Sequence, residues 1–258
     1  MKKHLLPTLL LAAALLPTGA LAASCNTSTG LNPTIPLVYS AFEGDAANVR
    51  CLLDAGENVN AADWEGKTAL MGAALAGHAD LVQHLIDKGA NVGATANGSN
   101  TVLMFAAKGG NIAIVQKLLD KGVGVDTTGM NGVTALTIAA LNGQTDIARL
   151  LLDKGADVNA TTANDRTTPL MGAASNGHAN TARLLLERGA NVNAVETDGT
   201  TALIYAVRSW NADTVRALLD KGASVNAANK DGDTALSIAE KNGYAEMVQM
   251  LKAAGATP

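Results

Sequence analysis

Thr168-Pro169-Leu170-Met171-Gly172-Ala173-Ala174-Ser175-Asn176-Gly177-His178, followed by Leu184-Leu185-Leu186-Glu187-Arg188-Gly189-Ala190-Asn191-Val192-Asn193, is one copy of a pattern that fills most of the chain. The first leucine of the block returns as Leu37, Leu70, Leu103, Leu136, Leu170, Leu203 and Leu236, at spacings of 33 residues and once 34. The glycine after the leucine-rich block returns in the same phase as Gly56, Gly89, Gly122, Gly155, Gly189, Gly222 and Gly255. A further series runs Gly44, Gly77, Gly110, Gly143, Gly177 and Gly243, with Trp210 standing in the sixth place. Three series in phase over seven copies identify a repeat array before any single element is assigned.

One unit reads as two short helices. Thr68 is suited to N-cap a first helix over Ala69 to Leu75, because its hydroxyl can accept a bond from an orphan helix N–H. Gly77 supplies the left-handed residue that ends it. A second helix over Ala79 to Lys88 carries Leu81, Val82, Leu85 and Ile86 at helical spacing, and Gly89 caps it. The polar, Gly/Asn/Asp-rich connection to the next unit reads as a turn or hairpin. Neither helix can bury its apolar face within one unit, so stability must come from stacking neighbours.

Thr168 to His178 with Leu184 to Asn193 resembles the ankyrin repeat. The resemblance runs from about Asn32 to Ala256. It implies an all-α solenoid of about seven stacked ankyrin repeats, each a helix-turn-helix with a β-hairpin or turn at its tip. Tetratricopeptide units have a close period of 34 but need bulky aromatic positions that this unit lacks. There are departures: the family's proline is kept only at Pro36 and Pro169, and its histidine after leucine is replaced throughout. The fifth unit has one extra residue between Asn159 and Thr167, so its tip is expected to differ. Ile35 stands where the N-cap threonine of the first unit belongs.

Outside the array, Lys2 and Lys3 precede an apolar stretch from Leu5 to about Leu16, then Pro17, Gly19 and Ala20-Leu21-Ala22. This is the layout of a bacterial secretory signal peptide over residues 1–22 with Ala23 as the mature N-terminus, and the stretch is too short to span a bilayer. The expected division is signal peptide 1–22, N-terminal segment 23–33 and repeat domain 34–258, with the periplasm as address. Leu21 to Cys25 also resembles a lipoprotein signal, which would make Cys25 a lipidated anchor. Otherwise Cys25 and Cys51, the only cysteines, are expected to pair in an oxidising compartment, pinning the N-terminal segment over the first repeat; free thiols are the remaining alternative.

Composition narrows the function. Net charge is −4, so there is no basic excess to neutralise phosphates, and nucleic acid is excluded as an expected partner. No nucleophile elbow, P-loop, His-Glu-x-x-His or paired CxxC occurs, so no catalytic residue, cofactor or metal is expected. His78 and His178 share one repeat position and read as turn supports, and His84 as a surface residue. Met71, Met104 and Met171 recur in register and read as core. The acidic tips (Asp63, Glu65, Asp165, Glu196, Asp198, Asp231 and Asp233) suit either solvent or a basic partner surface.

The expected function is protein binding: a monomeric module that shields, inhibits or scaffolds an exported enzyme or toxin. A lipid-anchored envelope scaffold and a small-molecule-binding or enzymatic solenoid are the alternatives. The family geometry implies that residues just before each helix-turn glycine face the groove: Phe42, Leu75, Lys108, Leu141, Ser175, Arg208 and Lys241. Hairpin tips such as Trp64 and Met130 line its rim. Large apolar residues are scarce, yet several fall at these places, which selects Phe42, Trp64, Leu75, Met130, Leu141, Arg208 and Trp210 as partner-binding candidates. The alternative is that Phe42 and Trp64 cover the thin end of the stack, and that Trp210 packs on Arg208 or Asn211. Trp210 replaces a left-handed glycine, so its turn is expected to be reshaped.

Overall fold

The computed structural model describes Cys25 and residues 36–257. The expected signal peptide, most of the 23–33 segment and the Ile35 position lie outside the described residues. The described chain forms seven helix pairs: α1 (Pro36–Glu43) with α2 (Ala46–Asp54), α3 (Ala69–Ala76) with α4 (Ala79–Asp87), α5 (Val102–Gly109) with α6 (Ile112–Asp120), and α7 (Ala135–Leu141) with α8 (Thr145–Asp153). Then follow α9 (Pro169–Ser175) with α10 (Ala179–Glu187), α11 (Ala202–Arg208) with α12 (Ala212–Asp220), and α13 (Ala235–Lys241) with α14 (Ala245–Ala253). Each odd-numbered helix packs on the next odd-numbered helix, and each even-numbered helix from α4 onward on the next even-numbered one, giving two layers.

Local chemistry starts the odd-numbered helices from α3 onward. Thr68, Thr101, Thr134, Thr168, Thr201 and Thr234 each accept the N–H of the third residue on, at 3.1–3.4 Å. Tips close as single antiparallel bridges, Ala62 with Thr68, Thr95 with Thr101, Val195 with Thr201 and Ala228 with Thr234. The fifth tip departs as its extra residue requires. It closes through Thr162 N–H donating to the Thr167 carbonyl at 3.1 Å, with Arg166 at φ 62°.

The seven phase-marking leucines are each at most 1% exposed, so the sequence repeat is the core of the fold. Leu85, Leu118, Leu151, Leu185, Leu218 and Leu251 are fully buried on the second layer. Met71, Met104 and Met171 are buried as well, and the sulfurs of Met104 and Met171 accept the Thr101 and Thr168 N–H groups at 3.4 Å. Truncating one such leucine to alanine costs about 2–5 kcal/mol.

Three ladders join the repeats. At the helix turns, the residue after one turn position sits over the turn glycine of the previous repeat: His78 over Gly44, Asn111 over Gly77, Gln144 over Gly110, His178 over Gly143 and, after Trp210, Asn211 over Gly177. His78 Nε2 lies 2.9 Å from the Phe42 carbonyl and His178 Nε2 3.1 Å from that of Leu141, so both histidines tie neighbouring repeats together. Behind the tips, Asn60, Asn159, Asn193 and Asn226 each donate to a glycine carbonyl of the next repeat and accept one of its N–H groups. At the ends of the second helices, Asp54 meets Lys88 at 3.4 Å, Asp120 meets Lys154 at 3.4 Å and Asp153 meets Arg188 at 2.7 Å. These exposed ion pairs contribute about 0–1 kcal/mol each.

Candidate functional site

The last turn of each odd-numbered helix places one groove candidate. Phe42 is 44% exposed and lies over Gly72 of the next repeat; Leu141 is half-buried and lies over Gly172. A methyl at Gly72 would stand 3.4 Å from Phe42 Cβ, and one at Gly172 3.1 Å from Leu141 Cγ. Glycine at those positions lets the larger side chains lie down across the joint.

Residues three before the candidates share their helix face. They are Tyr39, Phe105, Ile138 and Tyr205. The helical spacing i, i+3 from Phe42, Lys108, Leu141 and Arg208 is the sequence signal that marks them, one turn back from the residue beside the helix turn. Phe105, Lys108, Ile138 and Leu141 line one cavity of about 300 Å³ with Met104, Asn100 and Asn142. Tyr39, at 55% exposed, extends the apolar surface at the first repeat.

Two rim candidates come close through the third tip. Asn97 Nδ2 donates to the Trp64 carbonyl at 3.1 Å, and the Met130 side chain lies against Gly98. Trp64 is 73% exposed and Met130 56%. Leu75 is half-buried, and the Leu75 carbonyl passes so near Gly109 that a Cβ there would lie 2.3 Å from it. Only glycine permits that approach.

The far half of the same face is polar. Arg208 reaches Asp233 of the seventh tip at 3.6 Å. Glu196 is buried and holds two donors, Thr167 Oγ1 at 2.5 Å and the Tyr205 hydroxyl at 2.7 Å. Burial, then the Glu196 hydrogen bond, pushes the Tyr205 phenol well above its ordinary range. The Thr200 backbone N–H holds the Asp198 carboxyl below the usual carboxylate range against the opposing effect of burial, helped by the Thr200 hydroxyl and Arg208. Asp63 accepts from its own turn, as does Asn229 at the seventh tip. Several of the acidic tips are therefore occupied in holding tips together.

Trp210 stands elsewhere. Its turn is not reshaped: Trp210 itself takes φ 53°, beside six sister glycines at φ 66–83°. A non-glycine residue there costs roughly 1–2 kcal/mol. The ring is 71% exposed and pairs with Tyr244 at 6.1 Å between centroids, tilted by 30°, rather than with Arg208 or Asn211.

The structure joins Cys25 to Cys51, with Cα atoms 5.6 Å apart across 26 residues, and Cys25 packs against the core. His84 is half-buried rather than a simple surface residue, its Nε2 shielded and without a hydrogen-bond partner among the described residues. No group of three or more potential metal ligands occurs among the described residues, and none of their helices is long and apolar enough to cross a membrane.

A family model described as ankyrin repeats (3 copies) matches residues 8–96, 91–162 and 170–258. Among solved structures, the crystal structure of the human ASB11 ankyrin repeat domain is similar, with a TM-score of 0.76 and 26% identity, over 86% of this chain and 99% of that one. No curated protein sequence gives a significant match.

Proposed function

Since the chain belongs to the ankyrin-repeat family, whose domains are generic protein-binding modules, we propose that it binds an exported partner protein in the bacterial periplasm and shields, inhibits or scaffolds it. The observation that carries this reading is the half-buried apolar face of α5 and α7, where Phe105, Ile138 and Leu141 surround one cavity with Lys108 at its edge. Phe42 and Leu75 extend that face toward the first repeat, and Trp64 and Met130 stand along its rim. Arg208 closes the polar end. A large aromatic or aliphatic side chain of the partner would seat in the cavity, and acidic rim groups would orient it. The signal-like N-terminus supports export. So does the juxtaposition of Cys25 and Cys51, because a disulfide persists in an oxidising compartment.

The test is capture from native periplasm by the wild-type chain in parallel with Phe105→Ala and Leu141→Asp, followed by titration of the captured protein. The groove reading expects a protein held by the wild type and weakened by about 2 kcal/mol or more in each variant, with helicity retained. A partner bound equally by all three sinks it. Intact-mass analysis of the periplasmic fraction checks export, with a chain beginning at Ala23 as the expected result.

A further inference from the structure

The turn between α11 and α12 carries an aromatic site that the groove does not use. At five of the six helix-turn joints a polar side chain sits over a glycine of the previous repeat. At the sixth, Trp210 replaces the glycine and Tyr244 replaces the polar residue, and the two rings meet each other. Beyond that ring contact the exchange gives the fold little: Trp210 holds a left-handed backbone, and most of its surface faces solvent. The rings border a cleft of about 610 Å³ that also takes in Ala212, Asn242, Glu246 and Met247. Its lining contains one charged side chain, Glu246, and no basic one.

We infer that this cleft recognises an organic cation, a guanidinium or alkylammonium group, held over the Trp210 and Tyr244 rings and facing the Glu246 carboxylate. The faces of both rings carry negative quadrupole potential and attract cations, tryptophan most strongly. Glu246 adds a full negative charge of matching sign preference. It also meets Arg216 at 3.6 Å, but that pair is more than half exposed and leaves the carboxylate open to exchange partners. An anion would meet the ring faces and Glu246 with no compensating donor charge in the lining. The net charge of −4 favours the approach of cations generally.

Saturation-transfer NMR on the full chain tests this with three probes: N-acetylarginine amide, tetramethylammonium chloride, and neutral N-acetylglutamine amide. The first stands for a basic side chain of a protein and the second for a free quaternary amine; the tighter binder identifies the source. The expected result is saturable transfer to at least one cation and none to the neutral amide. Glu246→Gln should weaken the cation by about fivefold, and Trp210→Gly, which restores the residue of the sister turns, should abolish the signal with the thermal midpoint kept. Equal transfer to the neutral probe, no transfer to either cation, or a cation signal that survives Trp210→Gly overturns the assignment. None of these results depends on a partner in the groove.

Discussion

Gly93 is the weak rung of the ladder behind the tips, and Gly93→Asn should strengthen it. Asn60, Asn159, Asn193 and Asn226 occupy the matching place in four other repeats. Each donates to a glycine carbonyl 29 or 30 residues on, at 3.2–3.4 Å, and accepts an N–H 31 or 32 residues on, at 2.7–3.0 Å. The equivalent groups for residue 93 are the Gly122 carbonyl and the Gly124 N–H. The local turn is already right, because Gly93 N–H donates to Asn91 Oδ1 at 2.9 Å just as Asn193 N–H donates to Asn191 Oδ1 at 3.0 Å. A Cβ at Gly93 meets only Asn91 Oδ1 at 3.4 Å, an ordinary contact, and Gly93 is not among the left-handed glycines. Two new exposed hydrogen bonds give about 1 kcal/mol net, toward the low end of the usual range per bond. Replacing a glycine with compatible dihedrals adds about 0.5 kcal/mol by restricting the unfolded chain. The total of about 1.5 kcal/mol corresponds to a rise of roughly 3–6 °C in the thermal midpoint for a domain of this size. Calorimetry gives the midpoint, and amide hydrogen exchange shows whether Gly124 N–H gains protection. A midpoint that is unchanged or lower, with Gly124 exchanging as before, would refute the account of the ladder. Asn159→Gly is the mirror experiment and should lose a similar amount.

Breaking the Cys25–Cys51 link should cost about 3 kcal/mol by loop entropy, read as a lower urea midpoint for the Cys51→Ser variant or for the reduced wild type; two reactive thiols in unreduced, denatured protein would show that no link exists. Tyr205→Phe leaves the buried Glu196 carboxylate without one of its two donors and should destabilise by about 1.5–3 kcal/mol, measured by chemical denaturation. Trp210→Gly relieves a left-handed backbone but loses the Tyr244 ring contact, terms of roughly 1–2 and 0.5–1.5 kcal/mol, so stability should hold or rise slightly. A fall of more than about 1 kcal/mol would make Trp210 a structural residue.

The sequence alone determined the repeat period, the helix pairs to within a residue or two, the threonine caps, the turn glycines and the buried leucines and methionines. These depend on residues within one turn or one helix of each other, and seven copies restate them. The resemblance to the ankyrin repeat, carried by the same residues, pointed to Phe42 and Leu141 as groove positions. What the tertiary structure decided are relations between residues about 30 to 37 positions apart: the histidines bonded to the carbonyls of the previous repeat, the asparagine ladder with its gap at Gly93, and Met130 lying on Gly98. Phe105 and Ile138 share the faces of Lys108 and Leu141 by helical spacing, but the cavity they line exists only because α5 packs beside α7. Trp210 was visible in the sequence as an exception among glycines, but its partner Tyr244 was not. Stacking brings each helix turn against the next, and no local pattern records which side chain will cross that joint.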